Sequence, residues 1–423
     1  MNPNEKGWLK KYIEFRMEKL EELTTDDARR RSHPEHSLYR IIQPTGLMYG
    51  QSVGVSSHPD QESWQDREKM KVLLADSLIS SSLLLHEKQN GSSGEISDAI
   101  DKTLENIGNF YNNIFPELST PSKSFFGKKK SAVELAERIL DKRIERTSDF
   151  EGNFWTYFFH NSLLFLDVFI FGQWIHTNAD RIVADFFRYE RDELRFSVVK
   201  VIAAASHANQ QVVYEEKKLL DFFLHSADLS PEKRKEAISI FEKGIDVHEI
   251  NLPSENSWIL KKFFLEIAIL TIWADKKVEE IEMDFLKTFA LHLSFSDDDL
   301  ENSLLAIEGF VLENWEQLSH LQNNQDYQQV SEQFIKRIAK IAEKNKSRLM
   351  KELHENEQIV ALLRKSRSSE LTSQEKEVMR IALVQLLKTI PTFSIISLPR
   401  KFLSLPVLLK ILPKNLFTEG ITS

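Results

Sequence analysis

A nine-residue pattern, A-[ND]-x-x-V-x-x-x-E, occurs twice in this chain and constrains its fold more than any other feature. The first copy covers residues 208–216, and the second covers residues 274–282. Apolar runs flank both copies, at 198–205 and 219–224 for the first and at 264–271 and 285–291 for the second. A repeated unit of this kind predicts a helix–loop–helix that is used twice in one helical core.

Composition also favours helices over sheets. The 423 residues include 13 Gly and 12 Pro, whereas 28% of the chain is charged. No stretch alternates polar and apolar residues for long enough to indicate a strand. We therefore predict an all-α fold, a multi-helix bundle with an internally duplicated helical core and a proline-broken segment at residues 386–416.

The pattern of helices and breaks predicts four regions. They are an N-terminal helical region (1–125) with a loop at 30–62, an aromatic-rich helical connector (126–189), the duplicated helical domain (190–325), and a region (326–423) in which a long amphipathic helix at 327–365 precedes the proline-broken segment.

The repeated motif also has a chemical interpretation. Asn209 and Asp275 begin a turn, and Glu216 and Glu282 fall in the first turn of the following helix. Two oxygen ligands across a tight turn suit a hard divalent cation such as calcium. The alternative is that each pair caps a helix and braces the turn. Asp275 with Glu282 is the better cation candidate because both residues are acidic.

The double motif resembles the TerB-like family of tellurite-resistance and stress proteins over residues 190–325. That family has an apolar helix, then Ala-Asp-Gly-x-Val, then Glu at the start of the next helix. Gln210 and Lys276 occupy the glycine position here. The resemblance implies metal binding at Asp275 and Glu282, and at Asn209 and Glu216 in the other copy.

Two apolar stretches raise the question of a membrane. Residues 154–175 have roughly the length of a span, but they contain polar residues that include Asp167. A buried core helix is favoured; in a span, Asp167 would be a candidate for handling ions. The proline-broken segment is too interrupted to cross a bilayer, so it is expected to pack on the protein or to lie in an interface. Its Arg400, Lys401, Lys410 and Lys414 are candidates for contact with anionic lipid or a partner.

A second resemblance lies in this segment. The chain reads L-T-S-Q-E at 371–375, then a leucine-rich helix ending in Pro391, Leu-Pro at 398–399 and L-P-V-L-L-K-I-L-P-K-N-L at 405–416. This is similar to the membrane-proximal signature of the LETM family, the mitochondrial inner-membrane proteins linked to cation/proton exchange. Phe402 replaces that family's acid, so an exchanger is not expected. The order of the two resemblances is similar to bacterial LETM-related biofilm-associated proteins, which implies a role near the cell envelope.

Several classes of function lack support in the sequence. Cysteine is absent, and no phosphate-binding glycine motif and no H-E-x-x-H occurs, so an enzyme is not expected. A net charge of −9 argues against nucleic-acid binding. The first expectation is a non-enzymatic cytoplasmic module, peripheral at the inner face of the cell membrane, that binds a divalent cation, a membrane surface or a membrane protein. The alternatives are an integral membrane protein of cation-transport type and a soluble scaffold whose tail packs on its own core.

Overall fold

The structure is a computed structural model whose described residues are all helical or non-regular. It describes residues 1–25, 33–53, 58–85, 93–119, 130–147, 157–158, 161–177, 181–208, 224, 227, 229–252, 257–273, 280–318 and 326–416. No β-strand is present in these ranges. The predicted all-α class is therefore confirmed.

Seventeen α-helices lie within the described ranges. They are α1 (Trp8–Thr25), α2 (Pro34–Ile42), α3 (Asp66–Leu85), α4 (Ser93–Ile114), α5 (Ala132–Thr147), α6 (Leu163–Trp174), α7 (Arg181–Ser206), α8 (Pro231–Lys243), α9 (Trp258–Trp273), α10 (Glu280–His292), α11 (Asp297–Glu313), α12 (Tyr327–Lys344), α13 (Lys346–His354), α14 (Glu357–Ser368), α15 (Ser373–Lys388), α16 (Pro391–Ile395) and α17 (Leu405–Ile411).

The described chain divides into two compact units. The first unit contains α1 to α10, and the second unit begins at Ser294 and contains α11 to α17. The division falls inside residues 190–325, so the predicted duplicated domain contributes helices to both units. Of the first motif copy, Ala208 alone lies within the described residues, and the duplication itself stays a prediction.

Two apolar helices form much of the core of the first unit. Helix α6 is buried on nearly all sides and packs against α3 and α7, while α9 packs against α2, α7 and α10. A helix that is apolar all round is typical of a protein core. The prediction of a buried core helix within 154–175 is thus confirmed for Leu163–Trp174. Among the helices that the structure describes, none combines the length and apolar content needed to cross a membrane.

The expectation of a loop over residues 30–62 is wrong in part. Pro34 begins α2, and 3-10 turns follow at Gln43–Thr45 and Leu47–Tyr49. The prolines and glycines that indicated a loop are the residues that start and end these short helices: Pro fits the first helical turn, and Gly46 and Gly50 have positive φ values of 85° and 66° where the turns end.

The single amphipathic helix expected at 327–365 is three helices, α12, α13 and α14. Helix α12 ends at Lys344 and is followed by its C-cap, Asn345. Asn356 caps the start of α14, because its side chain accepts a hydrogen bond from the Ile359 N–H at 3.1 Å. The apolar stripe continues through all three helices, which explains why periodicity predicted one. Asparagine side chains bond local backbone groups and so favour such breaks.

Candidate docking segment and candidate cation site

The proline-broken segment, residues 386–416, turns back onto the second unit in short steps. Helix α15 leads into it and begins with a capping box between Thr372 and Glu375. Pro391 starts α16, and Pro406 lies in the first turn of α17. Proline fixes φ and has no N–H, so it is favoured at these positions. Helix α17 packs against both α12 and α15.

Ten apolar side chains of this segment are buried within the second unit. Phe402 is buried, and its ring lies 4.8 Å from the fully buried ring of Phe334 on α12. The other buried apolar residues of the segment are Leu386, Leu387, Ile390, Phe393, Ile396, Leu408, Ile411, Leu412 and Leu416. Phe402, the residue at the position of an acid in the LETM-like pattern, therefore serves as a core contact.

The cationic side chains of the segment face solvent. Residues 386–416 contain no Asp or Glu, and all five of their cations are exposed: Lys388, Arg400, Lys401, Lys410 and Lys414. Leu409, next to Lys410, is also exposed. The backbone N–H of Arg400 donates to Glu313 at 3.1 Å, and the Lys401 ammonium lies 5.9 Å from the centre of the Tyr327 ring. The four predicted contact residues are thus accessible on an acid-free segment of an acidic protein.

The candidate cation site is described in part. Glu282 lies in the first turn of α10, as predicted, and its side chain is buried, whereas Asp284 on the same helix is exposed. Asn209, Glu216 and Asp275 lie outside the described residues. Within the described ranges, no three or more His, Asp or Glu residues are close enough together to hold a metal ion. Metal binding stays a prediction.

Asp167 forms a buried ion pair in the core of the first unit. Its carboxylate accepts bonds from Arg143 at 2.6 and 3.2 Å and from the Tyr111 hydroxyl at 3.0 Å. Burial and the negative charge of Asp167 raise the pKa of Tyr111. These three hydrogen bonds give Asp167 a structural role, because they link α6 to α4 and α5.

A second buried polar cluster was not anticipated from the sequence. Glu266 on α9 accepts bonds from the hydroxyls of Tyr39 and Tyr49 at 2.6 and 2.7 Å, and the Lys262 ammonium is 3.7 Å away. Burial raises the pKa of Glu266, although Lys262 and both phenols act in the opposite direction. This cluster fastens the segment that was expected to be a loop to α9. The two tyrosines in an otherwise turn-rich stretch were the available signal.

The chain was compared with protein-family models, curated proteins and solved structures, and none of them matches it.

Proposed function

We propose that this chain is a non-enzymatic helical module that docks peripherally, through the exposed cations of residues 386–416, on the anionic inner surface of a bacterial cell membrane. The observation that supports this proposal is the division of the segment into buried apolar and exposed cationic side chains. Docking of this kind needs no inserted helix, because the attraction is electrostatic.

The charge distribution makes such docking strong enough to measure. A cation close to an anionic bilayer contributes about 1 kcal/mol, and the contribution decays within a Debye length of about 10 Å at 0.1 M salt. The whole chain has a net charge of −9, while residues 386–416 carry five cations and no acid. An anionic bilayer would repel a uniformly acidic protein surface. The cationic segment should therefore face the bilayer when the protein binds.

The test is flotation of the purified protein with lipid vesicles. Vesicles of neutral phosphatidylcholine are compared with vesicles containing roughly one-third phosphatidylglycerol, each at low and high salt. We expect binding to the anionic vesicles at low salt. Replacing Arg400, Lys401, Lys410 and Lys414 with Gln should weaken it by up to about 1,000-fold, since four cations at about 1 kcal/mol each amount to that factor.

A matched variant controls for the change in net charge. Four exposed cations on α12, α13 and α15 are replaced with Gln: Lys336, Arg348, Lys351 and Lys376. This control should retain binding. Equal losses in the two variants would show a nonspecific charge effect and overturn the proposal. Failure of the unaltered protein to bind anionic vesicles at low salt would favour the scaffold alternative, in which the segment only packs against the second unit.

A second candidate function is the binding of a divalent cation at the repeated motif. Its support is the burial of Glu282 in the first turn of α10, at the motif position that follows Asp275 in the sequence. Calorimetry with calcium on the unaltered protein and on Asp275→Ala and Glu282→Ala tests it. We expect saturable heat that both substitutions remove, and Asp284→Ala, an exposed acid on the same helix, should leave it unchanged. Absence of heat in the unaltered protein would remove this candidate.

A further inference from the structure

Helix α17 packs on the second unit through one of its sides. Leu408 and Ile411 are 0% and 1% exposed, and they lie three residues apart on the side of α17 that packs against α12 and α15. Successive residues of an α-helix are rotated by about 100°, since a turn has ~3.6 residues. The opposite side of α17 therefore carries Pro406, Leu409 and Lys410, and all three residues are exposed.

This outward side of α17 is mostly apolar. A surface helix ordinarily presents polar or charged side chains to water, but Lys410 is the single charged residue among the seven of α17. Leu409 is 39% exposed, and Leu405 and Val407, at the edges of the outward side, are half-buried. Together with Pro406, these residues leave an apolar surface in contact with water.

The charges around this apolar surface are positive. Cations lie before it, on it and after it in the sequence, and residues 386–416 contain no acid. Arg380 of α15 donates to the carbonyl oxygen of Leu403 at 3.5 Å, but it is paired with Glu377 and so adds no net charge. An apolar surface with cations on both sides of it matches the boundary between anionic headgroups and acyl chains in a bilayer.

The small size of this surface favours lipid over a protein partner. Specific protein–protein interfaces bury about 800 Å² on each partner, whereas the seven residues of α17 extend over about 10 Å. Binding at a lipid interface needs no extended matching surface, because its strength follows the apolar area buried and the attraction to anionic lipid.

We propose that the outward side of α17 inserts shallowly into the anionic bilayer, with Pro406 and Leu409 at the upper ends of the acyl chains and Lys410 at the headgroups. This inference rests on the proposed docking function and adds a hydrophobic contribution to its electrostatic attraction. Interfacial helices bury their apolar side by about 5–10 Å. Leu408 and Ile411 stay in the core of the second unit, so the fold does not have to open.

Site-specific labelling tests insertion directly, because the chain contains no cysteine. Leu409→Cys carries an environment-sensitive fluorophore. Ile381→Cys is the matched control, since Ile381 is 48% exposed on α15, outside the cationic segment. With anionic vesicles at low salt, we expect the emission of the label at position 409 to rise and to shift to shorter wavelength. Brominated acyl chains should quench it, and the label at position 381 should show neither effect.

The contribution of insertion to binding is measured by flotation with the same vesicles. Leu409→Gln should bind about tenfold more weakly than the unaltered protein, because the exposed part of the leucine side chain is no longer transferred from water to lipid. Ile381→Gln should bind as the unaltered protein does. Both positions are exposed, so neither substitution should disturb the core.

Three results would overturn insertion and leave docking intact. The first is a label at position 409 that stays in water on the bound protein, and the second is equal binding by Leu409→Gln and the unaltered protein. The third is an equal response of the labels at positions 409 and 381, which would place a different face of the second unit against the lipid. If the unaltered protein does not bind anionic vesicles, both docking and insertion are wrong.

Discussion

Asp167→Asn is the most informative single substitution in this protein. The asparagine keeps the volume of the side chain and one acceptor oxygen, but it removes the negative charge. Arg143 would then be left charged in the core, because both partners are buried, with side-chain exposures of 8% and 1%. An arginine cannot relieve this cost by losing its proton.

The expected loss follows from the burial of the pair. Removing one partner of a buried ion pair costs about 3–5 kcal/mol, against a typical domain stability of about 5–15 kcal/mol. Replacing both members, as Arg143→Met with Asp167→Asn, leaves no stranded charge and should cost markedly less than the sum of the single changes. A coupling energy of about 2 kcal/mol or more is the signature of this mechanism.

Urea unfolding measures these losses, with hydrogen exchange of the α6 amides reporting on the first unit alone. The control is Asp185→Asn, which breaks the exposed pair with Arg188 on α7 and should cost less than ~1 kcal/mol. An Asp167→Asn loss no larger than that of the control, or a double-variant loss equal to the sum of the single losses, would show that no buried charge is stranded.

Three further predictions follow from local geometry. Gly50→Ala should destabilise the first unit by roughly 2–5 kcal/mol in urea unfolding, because Gly50 has φ +66° and an added Cβ would overlap the carbonyl oxygen of Tyr157. Phe402→Ala should cost the second unit about 3–5 kcal/mol, while Ile381→Ala, an exposed site, should stay within about 0.5 kcal/mol. Burial raises the pKa of Glu266 in the folded chain. Proton binding by Glu266 therefore stabilises the fold. This stability is fully present below the unfolded pKa of about 4.5 and is lost as pH rises through the folded pKa. Glu266→Gln should therefore flatten the dependence of the urea midpoint on pH above 4.5; an unchanged profile would contradict this assignment.

The helical class could be predicted because local signals agree along the chain. Scarce glycine and proline, apolar periodicity and Ser/Thr caps such as Thr372 point to the same structure. The segment of residues 34–50 was misjudged because its breakers lie between very short helices. The fact that decides its structure, the burial of Tyr39 and Tyr49 against Glu266, joins residues more than 200 positions apart. Local propensity carries no information about such a contact.

The candidate sites also differ in whether local sequence reveals them or whether they form only when distant residues pack together. The exposed cations at 400, 401, 410 and 414 were accessible to sequence reasoning because charge next to an apolar stripe predicts a solvated face. The buried cluster of Tyr111, Arg143 and Asp167 was not, since these residues come together through the packing of α4, α5 and α6. Of the motif residues, Glu282 is found at the predicted helix start, and its partners lie outside the described residues.

Two helix starts in the first unit are capped by distant carboxylates, and this has a consequence for synthesis of the chain. Glu137 accepts the N–H groups of Gly7 and Leu9, whereas Glu35 accepts those of Trp258 and Ile259. At about 5–20 residues per second, the ribosome makes Glu137 on the order of ten seconds after Gly7. Helix α1 therefore leaves the ribosome before its capping carboxylate is synthesised. The capping carboxylate of α9 has already been synthesised when α9 leaves the ribosome. Completion of the first unit should be a late event, governed by the arrival of α5 and α9.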